Sequence, residues 1–169
     1  MAEFTRHGVD GARIDRIARN AGASKERLYA YFGDKQSLFD EAVRGAVERS
    51  SMAVDLEADD LVAYALRLAR HFFRHPDDLR MLAWMRLEEQ CEQVLAIDTL
   101  VSHHERKLAA VRRAQAAGTV DASWDPAQLL QVVLATATYW ARASGTDGLS
   151  EERCLAVVEE AVRRLIAPR

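Results

Sequence analysis

Proline is scarce in this chain, with only three in 169 residues, and no stretch alternates apolar and polar residues over the length of a strand. A sandwich or barrel is thereby excluded, and a string of helices is expected. The two cysteines, Cys91 and Cys154, form no CxxC pair. That argues against a zinc ribbon or a disulfide scaffold and fits a reducing compartment. No apolar run approaches the ~20 residues of a membrane span. The opening MAEFTRHGVDGARIDR is too polar for a signal peptide. A cytoplasmic location without a membrane partner is expected. GxSxG, HExxH, a phosphate-binding glycine loop and the ExxH pairs of di-iron bundles are all missing. No catalytic residue, metal or cofactor is therefore assigned, and enzymatic activity is not expected.

What is present is helix-forming: alanine, leucine, arginine and glutamate dominate, and 49% of residues are hydrophobic. The net charge of −3 does not by itself predict a nucleic-acid partner, but it is unevenly spread. Residues 1–35 carry seven cations and five anions, a net +2, so the remainder carries −5. A mildly basic head on an acidic body hints at nucleic acid at one end.

Punctuation divides the chain into eight or nine helices. HGVDGA separates an opening stub from a segment over 13–20, with Ile14, Ile17 and Ala18 on one face. NAGAS is a tight turn in which Gly22 can take positive φ, and Ser24 caps a short helix over 24–30. After FGDK, Asp34 caps a long helix to about residue 50. Further helices are expected over 59–74, 77–90, 93–117 and 126–143. Pro76 breaks the first pair, Asp125 and Pro126 start the last, and Ser150 caps a final helix with Glu151 and Glu152 in its first turn.

The stretch AGASKERLYAYFGDK, residues 21–35, joins a small-residue turn to three cations and two tyrosines. Two short helices around such a turn form a helix-turn-helix, whose second helix enters the major groove with its N-terminal residues at base edges. Lys25, Glu26 and Arg27 occupy those positions. Leu28 and Phe32, four apart, anchor the helix to its own core. Tyr29 and Tyr31 lie off that stripe and can reach phosphates, and Lys35 follows a helix start suited to holding one. An amphipathic helix pair with a solvated charged face is the competing account of the same residues.

The pattern Phe4, Gly8, Ile17-Ala18, Ala21-Gly22-Ala23-Ser24, Leu28-Tyr29, Tyr31-Phe32, Lys35 and Leu38 closely resembles the DNA-binding domain of the tetracycline-repressor (TetR) family of bacterial transcription regulators. The resemblance covers about residues 4–45. It implies an all-α fold with an N-terminal three-helix helix-turn-helix domain, 1–48, and a C-terminal helical ligand-binding and dimerisation domain, 49–169. It also implies a dimeric, ligand-responsive repressor whose partners are double-stranded operator DNA, a small-molecule effector and a second copy of itself. Ser24, Lys25, Glu26 and Arg27 then match the base-reading segment. Tyr29, Tyr31 and Lys35 match phosphate contacts, with Arg13 as a further one. The chain departs from the pattern in three places. Ala12 replaces the usual threonine before the second helix, losing a cap worth ~1 kcal/mol, for which Asp10 is expected to substitute. Glu26 stands where glycine is common; its carboxylate repels phosphate but can accept from a cytosine amino group. The first helix is short, with six residues before His7.

In the body, PAQLLQVVLATATYWARA over 126–143 is apolar nearly all round, and the last helix carries a broad apolar stripe. Helices of this kind are buried on more than one side, and a two-fold dimer is the commonest way to achieve it. Leu130, Leu134, Val157, Val158, Ala161 and Leu165 are expected at that interface, as the resemblance also implies. An apolar pocket with a few polar groups is expected among Tyr64, Leu68, Phe72, Trp84, Met85, Glu88, Cys91, His104 and Trp140, although each is equally suited to ordinary core. A helical interaction module that does not bind DNA, and a metal-binding sensor using SHHERK with Glu88 and Cys91, are the alternatives. Adjacent His103 and His104 point about 100° apart on a helix, which disfavours a shared ion.

Overall fold

The computed structural model describes residues 1–53, 56, 60–87, 98–143 and 148–168. Among these, all regular structure is helical. The helices are α1 (Ala2–Gly11), α2 (Ile14–Asn20), α3 (Lys25–Phe32), α4 (Lys35–Ala53), α5 (Leu61–Arg74), α6 (Pro76–Leu87), α7 (Asp98–Ala116), α8 (Pro126–Ala143) and α9 (Glu151–Ile166). The chain forms two compact units. The first is Met1–Arg49 with Asp77–Ala96; the second is Ser50–Pro76 with Ile97–Arg169. The expected division after residue 48 lies next to the Arg49–Ser50 boundary, but the segment 77–96 groups with the first unit.

Local signals account for four helix starts among the described residues. Ser24 Oγ accepts from Arg27 N at 3.2 Å, Asp34 Oδ1 from Ser37 N at 2.7 Å and Ser150 Oγ from Arg153 N at 3.3 Å. Asp125 Oδ1 takes the N–H groups of Ala127 and Gln128, both at 3.0 Å. Each satisfies donors that a helix leaves open at its first turn.

The first unit is built on Phe4 and Phe39, whose rings meet edge-on at 5.3 Å, with Val9, Ile14, Ile17, Ala18 and Val43 buried around them. α1 is interrupted at Gly8 (φ 62, ψ −169). α6 closes on this break. Trp84 Nε1 donates to Thr5 O at 3.2 Å, and a Cβ on Gly8 would lie 2.7 Å from Trp84 Cζ3. A second tie joins α6 to α4: the Arg49 guanidinium meets the buried Asp78 carboxylate at 2.6 Å, which raises the Arg49 pKa above its ordinary value.

In the second unit α5 packs on α8 and α9, α9 on α8, and α7 on α8. Tyr64, Leu68 and Phe72 of α5, Leu129, Leu130, Val133 and Ala137 of α8, and Cys154, Val158 and Val162 of α9 are buried. Lys107 Nζ stands 5.3 Å from the centroid of the Tyr64 ring. The α7–α8 connection is tied to the helices around it: Asp121 N donates to Ile166 O at the end of α9 at 2.9 Å, and Gln115 Nε2 of α7 donates to Trp124 O at 2.8 Å.

Candidate nucleic-acid interface

The α2–α3 turn is set by its backbone. Ala23 N donates to Ala18 O at 3.0 Å and Gly22 N to Arg19 O at 3.2 Å, with Gly22 at φ 62. This Schellman arrangement requires a left-handed residue at Gly22 and fixes the direction in which α3 leaves α2.

The start of α2 is held by a residue that sequence reading missed. Asp10, expected to replace the lost threonine cap, is exposed, and the cap comes from Glu3 of α1 instead. Glu3 Oε1 accepts from Arg13 N at 3.0 Å and from Arg16 Nε at 2.9 Å, and it pairs with Arg16 Nη2 at 2.7 Å. Glu3 lies ten residues before the N–H it caps, so no local capping pattern betrays it. Burial pushes its carboxyl up, but the Arg13 N–H and the Arg16 guanidinium outweigh burial and hold it below its ordinary value. A depressed carboxyl stabilises the fold above its ordinary value of 4.5, and that contribution is lost as pH falls through the depressed value. The Glu3→Gln variant should therefore melt below wild type at neutral pH, and the gap should close in acid. Melting curves recorded from pH 7 to 2.5 check this; a gap independent of pH would remove Glu3 from the acid response.

α3 has no buried residue; Leu28 and Phe32 are half-buried and mark its inner face. At 3.6 residues per turn, Ala30 lies opposite that stripe, and Glu26 and Arg27 fall within about 60° of Ala30. All three are exposed. Neither the Glu26 carboxylate nor the Arg27 guanidinium has a polar partner among the described residues. Lys25 and Tyr29 lie on one flank of the helix and Tyr31 on the other. Lys25 Nζ is 3.2 Å from Asp15 Oδ1 of α2, so its charge is directed along the protein. Tyr31 is 82% exposed and Tyr29 40%. The Tyr31 ring meets Phe32 edge-on at 4.7 Å. Lys35 Nζ donates to Asp10 O at 3.2 Å, at the C-terminal end of α1, which places an ammonium beside the helix pair. Arg13 is exposed, while its backbone N–H is taken by Glu3. Seven of the eight expected DNA-contacting side chains are thus exposed, Lys35 is half-buried, and Ser24 is engaged as the α3 cap.

The other expected sites are distributed differently. Tyr64, Leu68 and Phe72 form one buried stripe on α5, Trp140 is half-buried beside Tyr139, and His104 is exposed. Trp84 and Met85 lie in the first unit, where Trp84 is committed to Thr5 and Gly8. Glu88 and Cys91 lie outside the described residues. An open groove of about 490 Å³ runs between Leu66 and Arg70 of α5 and Glu151, Glu152, Leu155 and Glu159 of α9, and it contains none of the expected pocket residues. At the expected dimer interface, Leu130 and Val158 are fully buried in the second unit's own core. Leu134 and Leu165 are half-buried, and Val157 and Ala161 are exposed. Val132 and Tyr139, which the sequence reading left out of the interface, are 37% and 62% exposed on α8. His103 Nδ1 is 2.9 Å from Arg106 Nη2, which occupies one of the two adjacent histidines of SHHERK. Among the described residues, no helix is long and apolar enough to cross a membrane.

Comparison with known proteins identifies relatives along the whole chain. The family described as "Bacterial regulatory proteins, tetR family" matches residues 1–42, and "Tetracyclin repressor-like, C-terminal domain" matches residues 60–164. The HTH-type transcriptional repressor SCO4008 of Streptomyces coelicolor is 33% identical over 179 residues, covering 98% of this chain and 90% of its own length. The HTH-type transcriptional repressor AcnR of Corynebacterium diphtheriae is 29% identical over 171 residues, covering 95% and 85%. The crystal structure of SCO4942, a candidate transcriptional regulator of Streptomyces coelicolor, superposes with a TM-score of 0.82 at 34% identity, covering 98% of this chain and 92% of that one.

Proposed function

This chain belongs to the tetracycline-repressor (TetR) family of bacterial regulatory proteins, and from that premise we propose that it is a cytoplasmic homodimer that represses transcription by placing α3 in the major groove of an operator. The observation that carries this reading is the outer face of α3. Glu26, Arg27 and Ala30 point away from the protein on a helix whose exit angle is fixed by the turn before it. Arg27 is suited to a bidentate contact with guanine O6 and N7. Arg13, Tyr29, Tyr31 and Lys35 flank that face and suit phosphates, which set register without reading sequence. Two heads related by a two-fold axis would sit about 34–36 Å apart to meet successive major-groove faces. The exposed face of α8 and α9, with Val132, Tyr139, Val157 and Ala161, supports pairing there.

Release follows if an effector binds the DNA-incompetent state more tightly than the competent one. The second unit suits a small, mostly apolar effector, because the buried Tyr64, Leu68 and Phe72 and the half-buried Trp140 form an apolar and aromatic core that would open to admit it.

Gel-shift titration on DNA flanking the protein's own gene tests the reading. A specific complex at 10⁻⁸–10⁻¹¹ M and physiological salt is the expected range. Arg27→Ala should lose ~1–3 kcal/mol on the operator with little change on random duplex. Lys35→Ala should weaken both alike and lower the salt slope by about one unit. Equal loss on every duplex for Arg27→Ala would remove it from base reading.

A further inference from the structure

The N-terminal end of α3 carries a carboxylate where a DNA-binding surface gains nothing from negative charge. Glu26 is exposed, lies within about 60° of the outermost position of the helix, and has no cationic partner among the described residues. The nearest candidate in sequence, Lys25, is directed to Asp15 of α2 at 3.2 Å. Arg27, on the other side, has a free guanidinium. A solvated surface glutamate needs no further account, but this one stands on the face that the proposed operator complex would bury. Left without a partner there, its charge would be desolvated beside phosphates at a cost of several-fold in affinity. Its presence is explained if the groove supplies a donor.

Base-edge chemistry narrows that donor. Guanine offers N7 and O6, and thymine O4, all acceptors that repel a carboxylate. Adenine offers one amino donor beside the N7 acceptor. Cytosine alone offers an amino donor with no neighbouring acceptor on its own major-groove edge. We propose that Glu26 is a specificity-determining residue that selects cytosine at one position of each half-site, next to the base read by Arg27. The proposal rests on the operator reading above. It assigns Lys25 a different task from its neighbours: with its ammonium on Asp15 it braces α3 against α2, while Glu26 and Arg27 read.

The carboxylate acts in two ways. It gains a hydrogen bond at a correct site, and it penalises guanine, thymine and phosphate-only encounters by repulsion, which is discrimination against wrong partners as well as preference for the right one. Removing it should therefore tighten binding to random DNA, as loss of any carboxylate on that face would, and it should also level the preference at one base position, which only a base-reading residue would do. Replacing it with an amide should do something else again, because an amide matches the donor–acceptor pair of adenine N6 and N7.

Selection of binding sites from a randomised duplex library at fixed salt tests this with the full chain, comparing wild type, Glu26→Ala and Glu26→Gln. For wild type, one half-site position should require cytosine, with other bases there costing roughly 5- to 150-fold. Glu26→Ala should level that position, keep the remaining ones and bind random duplex more tightly. Glu26→Gln should move the preference at the same position from cytosine to adenine. An enriched wild-type site that all three proteins share unchanged overturns the proposal and leaves the operator reading standing. A wild-type library with no enriched site overturns the operator reading, and the proposal with it.

Discussion

Replacing Gly8 by alanine should destabilise the first unit severely and abolish operator binding. Two independent costs meet at this residue. Its backbone, at φ 62 and ψ −169, lies in a region that side chains other than glycine's rarely enter, and such strain costs about 1–3 kcal/mol. The added Cβ would also stand 2.7 Å from Cζ3 and 2.9 Å from Cε3 of Trp84, inside any tolerable contact, and forcing a group into a packed site costs about 1–3 kcal/mol more. The tryptophan cannot swing aside cheaply, because its Nε1–H is bonded to Thr5 O at 3.2 Å. A combined loss of roughly 2–6 kcal/mol is a large share of the 5–15 kcal/mol that holds a typical protein folded. Thermal melting should fall by about 5–20 °C at ~2–4 °C per kcal/mol for a chain of this size. The two costs can be separated, because only the clash depends on Trp84. In a Trp84→Leu background, adding Gly8→Ala should cost about 1–3 kcal/mol, the strain alone. Additive single and double variants would mean that the ring and the glycine do not meet. Wild-type melting and operator affinity in Gly8→Ala would dismiss the break in α1 as a requirement of the fold.

The same contact shows where the sequence stopped being informative. Ser24, Asp34, Asp125 and Ser150 announce helix starts because a capping side chain and the N–H it takes lie two or three residues apart. Gly22 announces the turn for the same reason: the αL residue and its two hydrogen bonds are all local. The inner and outer faces of α3 were accordingly legible, since the helix is eight residues long and spacing alone separates them. Trp84 was not. It meets Thr5 across 79 positions, and α6 carries Leu79, Met81, Leu82, Trp84, Met85 and Leu87 around most of its circumference, so periodicity does not say which side faces what. An aromatic residue in an apolar helix of the C-terminal part reads as pocket lining, yet this one fastens α6 to α1. Glu3 was missed for the related reason that a cap borrowed from another helix leaves no spacing to detect.

Adjacent valines on α9 should respond in opposite ways to the same substitution. Val158 is fully buried in the second unit, on the stripe with Cys154 and Val162 that packs α9 on α5 and α8. A glutamate there would be shut off from water in the unit's apolar core, and an unpaired buried charge costs several kcal/mol. Val158→Glu should therefore yield unfolded or aggregated protein, with helical circular dichroism lost at 25 °C. Val157 is 40% exposed, about 100° around the helix from its neighbour. A glutamate there is solvated in the protomer, so the fold should survive with its melting temperature little changed. In the proposed dimer the picture reverses: a two-fold interface presents the same patch twice, so one substitution brings two carboxylates onto an apolar surface with Val132 and Tyr139. Val157→Glu should then sediment as a folded monomer. Operator affinity should fall by about 10²–10⁴, because the second half-site no longer benefits from the effective concentration that tethering supplies. Raising protein concentration should restore part of that loss, whereas it would not rescue a damaged α3. A folded Val157→Glu dimer with wild-type affinity would move the interface off this face of α8 and α9. An additional Tyr139→Glu substitution that also left the dimer intact would exclude the exposed side of α8 as well.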